Sequence, residues 1–189
     1  MSNILIAVTG GIAAYKIPSV VSVLVTEGYN VKVMMTKAAE QFITPLTFSS
    51  ISHNPVYTED IRFANDGHIH HIELADWADV IVIAPATYNT ISKVIQKHAD
   101  NLVTSTIAAF TGRVMIFPAM NTHMWENLLT AEDDAHIISV GTFGRRNIII
   151  YKPAEGKMAC GTTGPGKLES TKSIVTKISD FLKFRRDKE

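Results

Sequence analysis

Hydrophobic residues along the chain gather in short, β-branched-rich runs, and the stretches between them have helical spacing. Ile4 to Val8, Val31 to Met35, Val80 to Ala84 and Val114 to Phe117 are nearly continuous apolar runs, as expected of strands buried on both faces of a parallel sheet. Between the first two, Ile17, Val20, Val21 and Leu24 recur at helical spacing within Ala13 to Glu27, and Gly28 supplies a C-terminal stop. Asn101 to Phe110 and Ser173 to Phe184 read as further helices. Strand alternating with helix predicts an open, doubly wound α/β sheet. The length of 189 residues suits a single domain over 1–189, without repeat, linker or low-complexity segment. The stretch Leu129 to Ile150 is the least legible, with acids at Glu132, Asp133 and Asp134, then Gly141, Gly144 and an arginine pair.

Composition narrows the classes. Lys plus Arg and Asp plus Glu balance at 18 each, which gives no reason to expect a nucleic-acid or membrane surface. The basic residues Lys183 to Arg186 read as a solvated helix end. The N-terminal apolar run lacks the basic start of a signal peptide and the ~20 residues of a membrane span. Cys160 is the single cysteine, so no internal disulfide can form, and a reducing, cytoplasmic setting is expected.

In a doubly wound sheet, ligands bind beyond the carboxyl ends of the strands. After the first strand stands Thr9-Gly10-Gly11-Ile12, where two glycines and a helix start could cradle a phosphate; a plain tight turn would read the same. It matches neither G-x-G-x-x-G nor a Walker loop. Thr36-Lys37-Ala38 after the second strand could reach the same phosphate or merely cap a helix. After the third run, Pro85 is expected to end the strand, and Thr87-Tyr88-Asn89-Thr90 offers polar groups on a flat surface suited to an aromatic ring system. Upstream, His68, His70 and His71 lie close together. They lack the spacing of a zinc site, so no metal is expected, and a general base is the better reading for one of them. After the fourth run, Asn121 and Met124 could hold a carboxylate and a sulfur-bearing chain, while Met beside Trp125 is also a packing pattern. Finally, Gly156 to Gly166 holds four glycines in eleven residues around Cys160, which suggests a mobile loop able to act as a lid.

Taken in order, these residues resemble the flavin-containing cysteine decarboxylase family over about residues 3 to 128 and 152 to 170. Pro118-Ala119-Met120-Asn121, Met124-Trp125 and the Ala159-Cys160-Gly161 loop look like its branch acting on phosphopantothenoylcysteine. The resemblance implies a Rossmann/flavodoxin-like fold and FMN as cofactor. Gly10, Gly11, Ile12, Thr36, Lys37, Ala38, Thr87, Tyr88, Asn89, Thr90 and Ala119 match its flavin contacts. His71 matches its base, Asn121 the residue holding the substrate carboxylate, and Met124 a pocket neighbour. Lys157, Met158 and Ala159 match the clamp over the substrate, and Cys160 the final proton donor. Homotrimers, often grouped into dodecamers, with each active site between two subunits, are implied as well. Tyr88 departs from the family's usual alanine, and nothing is carried over for Leu129 to Ile150. A synthetase fused to many bacterial relatives is not expected here, so a stand-alone enzyme is.

The implied reaction converts 4′-phosphopantothenoylcysteine to 4′-phosphopantetheine on the route to coenzyme A. Oxidation of the cysteine CH2–SH to a thioaldehyde gives the departing carboxylate an electron sink; the resulting enethiol is then reduced, with Cys160 supplying a proton. Competing readings are an oxidative decarboxylase of a peptide's C-terminal cysteine, a flavin prenyltransferase, a flavodoxin-like electron carrier and a non-catalytic flavin-binding regulatory subunit. The first has no need of Cys160 in a clamp, the prenyltransferase has no role for His71, Asn121 and Cys160 together, and the last two usually carry strongly acidic chains or tails.

Overall fold

The computed structural model describes residues 1–60, 67–128, 137–143 and 146–186. Chain order begins with β1 (Asn3–Val8), a 3-10 turn (Ile12–Lys16), α1 (Ile17–Thr26), β2 (Asn30–Met35), α2 (Pro45–Ser52) and β3 (Val56–Tyr57). The second part runs α3 (His70–Trp77), β4 (Val80–Ala86), α4 (Tyr88–Ile95), α5 (Leu102–Ala109), β5 (Arg113–Pro118) and α6 (Thr122–Glu126). It ends with β6 (Ile137–Phe143), β7 (Arg146–Tyr151), β8 (Ala154–Lys157), β9 (Thr163–Lys167) and α7 (Thr171–Arg186).

Seven strands form one sheet in the order β3-β2-β1-β4-β5-β7-β6; six run parallel and β6 pairs antiparallel with β7 at the edge. Strand alternation divides the core in two. Ile4, Ile6 and Val8 of β1, with Val80, Val82 and Ala84 of β4, face α1, α2 and α7. Leu5, Ala7, Ile81 and Ile83 face α3, α4, α5 and Trp125. Fully burying one such side chain stabilises by about 1.5–3 kcal/mol, so both layers hold the sheet, which is why the central strands read as unbroken apolar runs. Among the described residues no helix is long and apolar enough to cross a membrane.

Three expectations change in detail. The helix expected from Ala13 divides into a 3-10 turn and α1, because Pro18 in the first turn of α1 has no N–H to continue an α-helical ladder back to Ala14. Pro85 does not end its strand: β4 continues through Ala86, with the register shifting between Ile83 and Ala86. Arg185 is not simply solvated, since its guanidinium stands 3.2 Å from the Asp79 carboxylate and donates to the Asp79 carbonyl at 3.0 Å. Within Leu129 to Ile150, the strands β6 and β7 were not anticipated, and the acids at 132–134 lie outside the described residues.

Candidate active site

The chain leaves β1 toward β2 and later returns to place β4 on the other side of β1, so the connections diverge between these two strands. A crevice opens at their carboxyl ends, as it does at such switch points. Thr9, fully buried, spans it: its hydroxyl donates to the Pro85 carbonyl at 2.6 Å and accepts from the Thr87 N–H at 3.0 Å. The next loop is drawn in by the Thr36 N–H bonding to the Val8 carbonyl at 3.0 Å. Gly10 lies flat on that loop, where an added Cβ would stand 2.4 Å from the Ala38 Cβ. A side chain there would prise the two loops apart. Thr87 then caps α4 by accepting from the Thr90 N–H, and the Ala119 N–H bonds to the Ala86 carbonyl at 3.0 Å.

Opposite these loops stands the β8–β9 hairpin, where sequence suggested a mobile loop. Its ladder leaves only a short turn around Cys160, closed by Met158 N–H to Thr162 carbonyl and Gly161 N–H to Met158 carbonyl, both 2.9 Å. Gly161 takes φ +88 at this turn, a backbone conformation that favours glycine. At the root, the Met120 N–H bonds to the Gly166 carbonyl at 2.9 Å, and a Cβ on Gly166 would lie 2.3 Å from the Met120 carbonyl oxygen. The hairpin is therefore fastened to the turn after β5. The exposed Cys160 sulfur lies 3.0 Å from the Thr162 hydroxyl and receives the Asn121 side-chain N–H at 3.6 Å. Hydrogen bonds from Thr162 first, then from Asn121, stabilise the thiolate and bring the thiol down to about 7.

These elements enclose a cleft of about 1270 Å³. A single small-ligand pocket is typically ~300–1,000 Å³, so this one has room for two ligands together. Every site residue expected from sequence lines it except His71. The Met124–Trp125 pair splits: Met124 faces the cleft, while Trp125 is buried in the core. His71 sits half-buried in the first turn of α3, on the same edge of the sheet but outside the cleft. Its exposed neighbours Ile69 and Ile72 make that edge apolar. His68 pairs with Glu73 at 2.8 Å, and His70 is buried between the rings of His68 and Tyr57.

Sequence reasoning missed Lys16, Glu59, Asp100, Asn101 and Lys167 as cleft residues. Asn101 carried a signal, since it caps α5 through a capping box with Thr104. Glu59 accepts from the first N–H of that helix at 2.8 Å, and Asp100 pairs with Lys93, which holds its carboxyl below the usual range. Among the described residues, both acids of the cleft are thus engaged. Lys16, Lys37, Lys157 and Lys167 leave it a cationic lining.

A flavoprotein family model matches residues 1–183. The chain is 41% identical over 182 residues to a probable phosphopantothenoylcysteine decarboxylase of Streptococcus mutans, covering 95% of this chain and 98% of that one. It is 42% identical over 173 residues to the coenzyme A biosynthesis bifunctional protein CoaBC of Bacillus subtilis, with 92% of this chain matched. It spans only 41% of that bifunctional protein's length. Among solved structures it superposes on a cysteine-to-serine mutant of PPC decarboxylase complexed with pantothenoylaminoethenethiol, with a TM-score of 0.76, 29% identity and coverage of 96% and 98% of the two chains. The FMN-binding protein AtHal3 gives a TM-score of 0.75 at 30% identity, with 95% and 96% covered.

Proposed function

The chain belongs to the flavoprotein family, and from that premise we propose that it binds FMN and decarboxylates 4′-phosphopantothenoylcysteine to 4′-phosphopantetheine in coenzyme A biosynthesis. The observation that carries this reading is the meeting of Asn121 with Cys160 in a cleft that also holds the loops after β1, β2 and β4. A carboxylate anchor and a thiol acid stand together opposite the cofactor loops.

The donor chemistry fits FMN. Gly10, Gly11 and Ile12, with Thr36, Lys37 and Ala38, would hold the phosphate through N–H groups, a hydroxyl and a cation. Thr87 to Thr90 and Ala119 would lie along the ring, Tyr88 adding an aromatic surface. When bound, the flavin supplies a hydride acceptor that later gives the hydride back, so the cycle needs no external oxidant. Asn121 accepts the His123 N–H through Oδ1 at 2.9 Å, which turns its NH2 group toward the cleft to donate to the substrate carboxylate. The half-exposed Met124, with Met158 and Ala159, covers the sulfur-bearing end. Lys157 closes the clamp. Loss of CO2 from the thioaldehyde leaves an enethiol, and Cys160 delivers the proton that completes its reduction.

His71 is assigned to the cleft of a neighbouring copy. It lies on the cleft edge of the sheet but outside the cleft of its own chain, and the exposed apolar flanks Ile69 and Ile72 suit burial against a second subunit. A homotrimer, alone or within a dodecamer, would complete each site in this way. We read residues 1–189 as one flavoprotein domain acting in the cytoplasm. The deciding experiment incubates purified protein with synthetic phosphopantothenoylcysteine and follows the products by mass spectrometry. A yellow protein releasing CO2 and phosphopantetheine is expected; colourless protein that FMN does not reconstitute and that leaves the substrate intact would overturn the reading.

A further inference from the structure

We propose that Lys167 and Lys157 together form the binding site for the terminal phosphate of the substrate, making the hairpin the element that selects a phosphorylated pantothenoyl arm. The inference rests on the decarboxylase reading above and adds to it a second, cofactor-independent anion site.

Two anionic groups must be accommodated in the cleft, one from the cofactor and one from the substrate. Its four lysines fall into two groups. Lys16 and Lys37 follow the loops after β1 and β2, where the cofactor phosphate is placed. Lys157 and Lys167 stand on opposite strands of the β8–β9 hairpin. The acids lining the cleft among the described residues, Glu59 and Asp100, are committed to the start of α5 and to Lys93. Among the described residues, neither hairpin lysine has a carboxylate within ion-pair reach.

The geometry of the hairpin brings the Lys167 ammonium to the Lys157 end of the ladder. Lys167 lies at the root, paired with Ala154, while Lys157 pairs with Thr163 toward the tip. The Lys167 side chain does not stay at the root. It crosses the bare backbone of Gly156, where an added Cβ would stand 3.4 Å from its Cδ and 3.6 Å from its Nζ. Its charge therefore lies over the residue preceding Lys157. From the Cys160 turn back to the Gly156 rung is four residues, at most roughly 13 Å at ~3.4 Å per residue. About eleven bonds separate the cysteine Cα from the phosphorus in a phosphorylated pantoate–β-alanine–cysteine arm, also roughly 13 Å when extended. With its cysteine between Asn121 and Cys160 at the hairpin tip, such an arm laid along the hairpin carries its phosphate to the lysine pair.

Both lysines are solvent-exposed, so their effect should be moderate and sensitive to salt. The test measures steady-state kinetics of the FMN-loaded protein on phosphopantothenoylcysteine and on its dephosphorylated form. Wild type should favour the phosphorylated compound through KM. Lys167→Ala and Lys157→Ala should each raise KM for that compound about three- to fivefold, as expected for loss of one exposed ion pair. For Lys167→Ala the KM for the dephosphorylated compound, kcat and the bound flavin should be unchanged. Lys167→Arg should restore most of the preference, and 0.5 M NaCl, as a test condition of roughly a 4 Å screening length, should erode it in wild type. Equal rises in KM for both compounds would assign the lysines to closure of the clamp and overturn the proposal. Loss of flavin from Lys167→Ala would overturn it in favour of the cofactor phosphate. Equal use of both compounds by wild type would overturn the phosphate site while leaving the decarboxylase intact; release of CO2 from neither would overturn both readings.

Discussion

The side-chain amide of Asn121 donates to the sulfur of Cys160 across 3.6 Å, joining the turn after β5 to the tip of a hairpin 39 residues later. Neither partner stands alone. Asn121 caps α6 through its Oδ1, and Cys160 is held by Thr162. The amide is thus oriented by the helix and the sulfur by the hairpin turn, leaving the NH2 group and the thiol facing the same part of the cleft.

The thiol is the first point to test. With hydrogen bonds stabilising its thiolate, Cys160 is at about 7, so its proton is lost as pH rises through neutrality. Alkylation by iodoacetamide should gain rate with a midpoint near pH 7. Thr162→Val removes the largest stabilising contact and should move that midpoint upward, and the high-pH fall in phosphopantetheine formation should move with it. An unchanged alkylation midpoint in Thr162→Val would show that Thr162 does not tune the thiol.

Replacing the thiol separates the two halves of the reaction. Cys160→Ser should release CO2 but stall at the enethiol, about two mass units below phosphopantetheine from the missing pair of hydrogens, because a serine hydroxyl is a far weaker acid than a thiol of ~8.5. Mass spectrometry of the bound product reads this directly. Normal phosphopantetheine at the normal rate would reduce Cys160 to a structural turn residue.

His71 should act on another subunit's substrate. His71→Asn is expected to keep FMN and lose decarboxylation by ~10²–10⁴-fold, the usual range for general acid–base help. His68→Asn should stay near wild type. Co-expression of His71→Asn with Cys160→Ser should yield mixed oligomers in which some sites combine an intact histidine with an intact thiol, recovering phosphopantetheine formation that neither variant shows alone. Without recovery in oligomers confirmed as mixed, the assignment in trans fails.

Thr9 predicts a coupling of stability to cofactor binding. Thr9→Val leaves the Pro85 carbonyl and the Thr87 N–H without their shared hydroxyl in a fully buried position. Leaving such groups unsatisfied costs about 1–3 kcal/mol. The urea midpoint should fall accordingly, and flavin should dissociate more readily because the loops after β1 and β4 lose their bridge. A normal midpoint with normal flavin affinity would show that the bridge is dispensable.

Much of this molecule was written locally. A strand buried on both faces needs apolar residues at nearly every position, so β1, β2, β4 and β5 could be read directly from their runs. Ile17, Val20, Val21 and Leu24 marked the buried face of α1 for the same reason: their spacing reflects the helical repeat, whatever they pack against. Once the sheet was inferred to be doubly wound, the carboxyl ends of the strands had to carry the site, and the short motifs there reached the cleft. The glycine-rich segment, expected as a mobile loop, is a hairpin whose strands local pattern did not show, because its glycines serve close packing as well as turning. Gly166 has to clear the Met120 carbonyl, and no local pattern reveals that neighbour.

What the sequence determined by itself was the four apolar strands β1, β2, β4 and β5, the helices α1, α5 and α7 and the identity of the cleft-lining turns, because each depends on side-chain period and turn chemistry over a few residues. Only the tertiary structure decided which distant groups meet. Thr9 reaches Pro85 and Thr87 across a topological switch, Asn121 reaches Cys160 across 39 residues, and Lys167 folds back over Gly156. It also put His71 outside the cleft that the other site residues line. Adjacency between remote segments follows from strand order and packing, and those are properties of the whole chain that no local pattern encodes.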